Sequence, residues 1–436
     1  MWLTDPDARA AFETAHAQLL TLDRAGYAPE VVAGVQREKL ARLWDRAQTI
    51  PCYRDLPGFA ARDLDRLPVT GKDALKADPA RFARADLAGF AKYYESSGSS
   101  GVPTPTPRLA EDTITNVIGV SGLWRRALGR EPARVAALLP SDVVPVCDFV
   151  AAACEYLGHA VLRCYPFSLG MCDWDRLEAL FVAYRPRHVF AAPGVLAQWT
   201  RILKTRGRLD EVRASVGTVL LLGEVSLPGQ RRRLARDWDA DVLDASYGST
   251  ETGTIAATCE RDRLHLLLSG HLLELRDGGA VAPLARGGTG ELVTTTLNNY
   301  ARPLLRFATG DRVDVPDEPC PCGLALPTVR VHGRGADTVS LGDAELTEHA
   351  VGSIVYDDPR LTGYLIQLRG DGARLVLERD VDVTDPDEEL TTGVAKRFAE
   401  VGVAWSDVVV VGQLPATSKS GGSQKSWKRT NVVGTA

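Results

Sequence analysis

The stretch HVFAAPGVLAQWTRILKTRGRLDEVRASVGTVLLLGE, residues 188–224, decides the fold class. It opens on a short apolar run, HVFAAP, passes into the helical segment PGVLAQWTRILKTRG, and closes on a second apolar run, TVLLLGE. Two similar runs precede it, ARVAALLP at 133–140 and HAVLRCYP at 159–166, and the helical DWDRLEALFVAYRP follows them at 173–186. Short apolar strands alternating with helices predict parallel strands joined by crossover helices, an α/β body.

On the N-terminal side, residues 6–50 carry apolar positions at spacings of three and four, which predicts a helical layer. A Pro-bearing stretch ends it before a short helix near Asp73–Lys76. Beyond residue 260 the texture changes. LHLLLSGHLLELRDGGA and GELVTTTLNN are rich in Thr, Val and Leu with Gly turns, and predict an antiparallel β module attached to the body. In the last hundred residues, GYLIQLRGDGARLVLERDV predicts a hairpin turning at GDG, DEELTTGVAKRFAEVGVAW a helix, and DVVVVGQLP a strand. The expected organisation is a large N-terminal α/β domain, residues 1–335, and a small α+β domain, residues 336–436.

A chain of 436 residues suits two domains better than one core. A net charge of −5 leaves no footprint for nucleic acid or an anionic membrane. No apolar run approaches the roughly 20 residues that span a bilayer, and the first residues are polar and acidic, unlike a secretory signal. A cytoplasmic location is expected, with the eight cysteines as thiols or metal ligands. Lysine is scarce, yet Lys419, Lys425 and Lys428 crowd the C-terminus.

Four short segments carry chemistry. Ser96-Ser97-Gly98-Ser99-Ser100-Gly101, closed by Pro103-Thr104, can turn backbone N–H groups and hydroxyls toward one anionic point. It lacks the Gly-Lys-Ser/Thr of a Walker loop, and a flexible linker has the same composition. Tyr247-Gly248-Ser249-Thr250-Glu251 follows the apolar DVLDAS, at the kind of strand end where α/β sheets bind ligands. There Thr250 can donate to an anionic oxygen and Glu251 can offer Mg²⁺ a hard oxygen ligand, though a surface turn reads the same way. Thr309-Gly310-Asp311, then Gly333-Arg334 and Asp337, places a carboxylate that can accept from a ribose diol and an arginine that can pair with a phosphate or steady that carboxylate. Finally, a Gly-rich segment around Lys425 can deliver a point charge to a developing oxyanion, or else is a basic tail.

In this order and at these distances, the four segments resemble the adenylate-forming superfamily of acyl-CoA synthetases, luciferases and peptide-synthetase adenylation domains. Within it, the chain resembles the phenylacetate–CoA ligase branch. RLWDRAQTIPCYRD and DLDRLPVTGKDALKADP resemble that branch's opening segment, the loop ends in Pro103-Thr104 as it does there, and the resemblance spans essentially the whole chain. It implies ATP-dependent conversion of a carboxylic acid into an acyl-adenylate. Ser96, Ser97, Gly98, Ser99, Ser100, Gly101 and Thr104 would cradle the β- and γ-phosphates. Gly223, Glu224 and Tyr247 would flank the adenine, with Gly248 and Ser249 beside them. Thr250 would contact the α-phosphate, Glu251 would bind Mg²⁺, Asp311 would hold the ribose and Arg334 a phosphate. The small domain would be mobile about a hinge at Asp337, and Lys425 would be the catalytic lysine. Val102 stands where many relatives carry Lys, and the tail SGGSQKSWKRT leaves Lys428 and Lys419 as alternatives to Lys425.

Cys259 and His265, in CERDRLH, and Cys320 and Cys322, in CPCG, make a closed tetrahedral set for a structural Zn²⁺, against the alternative of unrelated cysteines. Some relatives carry a similar set. The remaining cysteines, Cys52, Cys147, Cys154, Cys164 and Cys172, are expected in the core. The acid is expected near VVPVCDFVAAACEY. Val144, Cys147 and Phe149 would form an apolar slot for an aromatic or short apolar acid, Asp148 a partner for an amino or hydroxyl substituent, and Ala245 and Ser246 the neighbouring wall. Three outcomes stay open: thioester formation with CoA, transfer to nitrogen in a specialised biosynthetic pathway, or a nucleotide-binding homologue without catalysis. The resemblance also implies a homodimer.

Overall fold

The computed structural model describes residues 4–84, 91–96, 103–168, 170–334, 338–341, 344–369, 372–415 and 431–434. Its chain contacts gather into two compact units. One comprises Met1–Ala133, Pro140–Val161 and Asp244–Val331; the other comprises Arg134–Leu139, Leu162–Leu243 and His332–Ala436.

The second unit holds the parallel sheet that residues 188–224 foretold. Its strand order is Ala160–Arg163, Arg134–Leu138, His188–Ala191, Thr218–Leu221, Asp241–Asp244, and the central pairings are parallel. Every residue of His188–Ala191 and Thr218–Leu221 is buried, as a sheet covered on both faces requires. The crossover helix Pro193–Arg206 shows why the local sequence folds this way. Pro193 occupies the first turn, where its missing N–H costs nothing, and Gly207 ends the helix at a φ of +65. Val195, Leu196, Trp199 and Leu203 form its buried stripe. Trp199 stacks edge-on against Phe181 and packs on Trp238, whose indole N–H donates to Thr200 Oγ1 at 2.8 Å. Truncating such a side chain costs about 3–5 kcal/mol.

The same unit contains a four-stranded sheet in the order Asp407–Val411, Gly372–Arg379, Leu361–Arg369, Val432–Gly434, with the central pair antiparallel. The helices Glu348–Tyr356 and Asp387–Glu400 pack on it through Val351, Val355, Leu390, Val394 and Phe398. Lys204, from the crossover helix, lies within 2.8 Å of Asp237, 2.9 Å of Asp380 and 3.0 Å of Asp382. Gly229 is forced by close approach, because a Cβ there would meet the Tyr356 carbonyl oxygen at 2.3 Å.

The first unit is built on an eight-stranded sheet. Its order is Ala280–Pro283, His271–Asp277, Thr289–Thr296, Phe307–Asp314, Thr328–Arg334, Leu264–Leu266, Gly253–Thr258, Ser246–Ser249. Its assigned pairings are antiparallel, which is the β module expected after residue 260. The expected N-terminal helices are Pro6–Arg24 and Pro29–Ala47. Helix Ala110–Leu128 buries Ile114, Val117, Ile118, Leu123 and Trp124. The fold class is therefore the expected one, α/β with an added antiparallel module. Among the described residues, no helix is long and apolar enough to cross a membrane.

Candidate active site and metal cluster

The Ser/Gly loop is presented by a hairpin. Strands Lys92–Ser96 and Thr104–Arg108 pair antiparallel, with Ser96 opposite Thr104. Ser97 to Val102 lie outside the described residues. At the base of the loop the Thr104 amide donates to Ser96 Oγ at 3.3 Å, while the buried Thr104 hydroxyl has no hydrogen-bond partner among the described residues. A buried polar atom without a partner costs stability, so its presence marks a place where a ligand could complete the set.

Two buried arginines hold the hairpin, and Arg108 ties it to the Tyr247–Glu251 segment. Arg108 donates to the carbonyl oxygens of Thr250 at 2.7 Å and Glu251 at 3.2 Å. Arg302 donates to the Pro105 carbonyl oxygen, and to Thr106 Oγ1 at 2.9 Å. Asn299 Nδ2 secures the same turn, donating to the Glu251 and Thr252 carbonyl oxygens at 3.1 and 3.2 Å. Gly248 is obligatory, because a Cβ would sit 2.2 Å from the Gly253 carbonyl oxygen. Tyr247 and Asp311 come together: the phenol donates to the Asp311 carboxylate at 2.9 Å. The turn before Asp311 uses Gly310 at a φ of +81. Arg306 holds the approach to it, bonding the Glu274 carboxylate at 2.8 and 3.0 Å and the Asp65 and Leu67 carbonyl oxygens at 2.6 and 2.8 Å.

Glu251 is buried, and burial by itself would raise its pKa. The charges of Lys72 and Arg302, with hydrogen bonds from its own backbone N–H and from Ser249, outweigh that and hold the carboxyl below its ordinary value. An ionised, desolvated carboxylate is the donor Mg²⁺ requires, so this residue fits that ion. Lys72 is placed by the segment before it. The Thr70 amide donates to the Arg306 carbonyl oxygen at 3.0 Å, and the Ala308 amide donates to that of Thr70 at 2.8 Å. Burial pushes Arg302 down to about 9.

Around the expected acid slot, Cys147 and Val144 are buried, and Phe149 packs on Trp124 with ring centroids 5.3 Å apart. The Ala245 carbonyl oxygen accepts the Trp124 indole N–H at 3.0 Å, and Ser246 opens the next strand. The Asp148 carboxylate is already engaged, by Lys92 at 2.5 Å and by the Tyr94 hydroxyl at 3.2 Å. In the other unit, Gly223 follows strand Thr218–Leu221 at a φ of +90, and Glu224 accepts from the Gly194 amide at 3.3 Å. Arg334 ends strand Thr328–Arg334. Asp337, Lys419, Lys425 and Lys428 lie outside the described residues.

The sequence reading missed Lys72, Lys92, Arg108, Arg302 and Asn299 as supports of the site. The available signal was the scarcity of lysine, which makes each one in a folded region noteworthy.

The four metal-ligating side chains converge. The ligand atoms of Cys259, His265, Cys320 and Cys322 all lie within 4.8 Å of one another. Cys259 Sγ and Cys320 Sγ are 3.8 Å apart, and Cys322 Sγ is 3.2 Å from His265 Nε2. Two thiolates on one tetrahedral zinc stand about 3.8 Å apart, given Zn–S bonds of about 2.3 Å. His265 Nδ1 donates to the Leu326 carbonyl oxygen at 3.0 Å, which leaves Nε2 with its lone pair toward the sulfurs. Burial pushes the Cys259 thiol up to about 12, so a cation is needed to hold it as thiolate. The donor set fits Zn²⁺. Cys154 and Cys164 are buried as expected, whereas Cys52 and Cys172 are only half-buried.

No family model matches the chain. Its architecture is shared with acid–CoA ligases of the adenylate-forming fold. The structure of 2-hydroxyisobutyryl-CoA ligase in the postadenylation state with 2-HIB-AMP superposes with a TM-score of 0.80, at 17% identity, over 94% of this chain and 90% of that one. An amide bond synthetase from Marinactinospora thermotolerans gives 0.53, at 20% identity, over 77% of this chain and 68% of that one. In sequence, the chain is similar to the phenylacetate-coenzyme A ligase of Thermus thermophilus, 26% identical over 378 residues and 82% of each chain.

Proposed function

We propose that this protein activates a small, aromatic carboxylic acid with ATP and transfers the acyl group to CoA. The observation that carries this is the buried Glu251, kept ionised by Lys72 and Arg302, on the turn that follows the Tyr247–Asp311 pair. In the first half-reaction a carboxylate oxygen of the acid attacks the α-phosphorus of ATP. The bond to the bridging oxygen breaks, and pyrophosphate leaves. In the second, the CoA sulfur attacks the acyl carbon and AMP leaves with the bonding electrons.

In this reading Asp311 accepts from the ribose hydroxyls, and Tyr247 orients Asp311 while flanking the adenine with Gly223 and Glu224. Thr250 and the Ser96–Thr104 loop donate to phosphate oxygens, with Arg334 pairing to one of them. Glu251 would hold Mg²⁺, which offsets charge on the triphosphate. Lys425 serves the first half-reaction from a C-terminal domain, residues 336–436, that turns about Asp337. Positioning and charge stabilisation supply the acceleration, with no covalent enzyme intermediate. The cysteine–histidine cluster would hold a structural Zn²⁺, with no ligand position left open for chemistry. The protein works as a homodimer, which light scattering would check.

A second reading, transfer to an amine, is favoured by the likeness to the amide bond synthetase. The decisive experiment is pyrophosphate exchange over a panel of aryl, arylacetic and amino-substituted acids. Exchange with at least one acid is expected, and its absence with all of them leaves only the non-catalytic homologue. Thioester formed only with CoA present supports the first reading, and amide formed without it the second.

A further inference from the structure

A small cavity lies behind the catalytic turn, between helix Pro29–Ala47, helix Ala110–Leu128 and the sheet of the first unit. Its volume is about 30 Å³, and Lys39, Asn116, Thr252, Ser269, Asn298 and Asn299 are among its walls. That space holds one or two atoms of water size. The helix bearing Lys39 is pinned against the cavity wall one turn earlier. Gln36 Nε2 donates to the Leu268 and His271 carbonyl oxygens at 2.8 and 3.0 Å, which turns the same face of the helix inward at Lys39.

Three features of the cavity are unmatched. Lys39 is half-buried and, among the described residues, its ammonium has neither a hydrogen bond nor an ion pair. Of the two carboxylates whose charge reaches it, Glu38 is exposed and Glu111 is claimed by Arg42 at 2.5 Å and Arg46 at 2.8 Å. Second, no carboxylate lines the cavity among the described residues. The His271 wall is neutral: Nε2 donates to the Thr254 carbonyl oxygen at 2.9 Å, Nδ1 accepts from Thr294 Oγ1 at 3.0 Å, and burial holds the ring down at about 4. Third, Asn298 Oδ1 is buried without a hydrogen-bond partner among the described residues. Burial accordingly pushes Lys39 down to about 8, against the charges of Glu38 and Glu111, which favour the ammonium form.

We propose that this cavity is a binding site for one small monovalent anion of the size of chloride or bromide. Lys39 meets its charge. The Ser269 hydroxyl and Asn116 Nδ2 are the further donors, since Asn116 Oδ1 is occupied by the Thr254 amide at 2.9 Å. A water sharing the cavity donates to Asn298 Oδ1. The site would also steady the catalytic turn, because Asn299, which lines it, holds the Glu251 and Thr252 carbonyl oxygens. That consequence rests on the adenylation reading, whereas the binding does not.

The test is chloride binding by ³⁵Cl line broadening, titrated into protein in gluconate at constant ionic strength. Wild type and Lys39→Arg should show saturable broadening, and Lys39→Met should bind at least about tenfold more weakly, the loss of a charge-assisted contact. Broadening that does not saturate, or that is the same in Lys39→Met, overturns the proposal. Should Lys39→Met fail to fold, wild-type crystals soaked in bromide decide the matter. An anomalous peak within hydrogen-bonding distance of Lys39 Nζ supports the site, and no peak there overturns it. Because neither readout uses turnover, an enzyme inactive with every acid leaves this test intact.

Discussion

Two groups of side chains on one antiparallel sheet have opposite designs. The Cys259–His265–Cys320–Cys322 cluster is closed: four soft donors face one point, and a backbone carbonyl fixes the histidine. The Tyr247–Glu251–Asp311 group is open. Its carboxylate is buried against cations, its turn is held by Arg108 and Asn299, and the Thr104 hydroxyl on the adjoining hairpin has no partner among the described residues. A closed donor set stabilises a fold, while an open one held rigid from behind is suited to binding and chemistry.

The largest effect that separates them is on turnover. Glu251→Gln should lower pyrophosphate exchange at least about 100-fold, the usual scale for losing one preorganised electrostatic group. Its thermal midpoint at neutral pH should move far less. The pH dependence gives a second reading of the same residue. A carboxyl held low in the folded state contributes stability above its ordinary value, and loses it as pH falls through the lowered one. Acid unfolding should therefore be less steep in Glu251→Gln than in wild type. A variant that keeps near-normal exchange would remove Glu251 from the site.

Cys320→Ser attacks the closed group. Purified wild type should carry close to one zinc per chain, and the variant should bind it about 10–100-fold more weakly and melt several degrees lower. Exchange per folded molecule should stay within about twofold. A large loss of exchange at unchanged melting temperature would show that the two groups are not separate in function. The smallest effect is expected for Tyr247→Phe. Losing one hydrogen bond to a charged partner should raise the ATP KM about tenfold with kcat little changed. A fall in kcat instead would give Tyr247 a part in the transition state.

Much of the fold was legible because it rests on local pattern. Strand and helix alternation around residues 188–224 specified a parallel sheet, and the change of texture after 260 specified an antiparallel one. The cysteine and histidine set was legible for a related reason: few other residue types bind zinc, so identity narrows the choice before geometry does. The supports of the open site were not legible. Arg302 donates to a carbonyl and a hydroxyl nearly two hundred residues earlier, and nothing in RPLLRF distinguishes it from a surface arginine. Asp148 read as a free partner for a substrate substituent because Lys92, which neutralises it, is fifty-six residues away.

By itself the sequence determined the class of sheets, the order of the chemical segments, and the residues able to ligate a metal. These follow from periodicity, from the backbone demands of glycine turns, and from side-chain chemistry, all of which act within a few residues. Only the tertiary structure decided which charges meet. It set Lys204 among Asp237, Asp380 and Asp382, paired Lys92 with Asp148, brought Lys72 and Arg302 close enough to hold Glu251 ionised, and left Lys39 without an ion pair among the described residues. Burial and Coulomb energy depend on distance in space and on desolvation, and neither is written in the spacing along the chain.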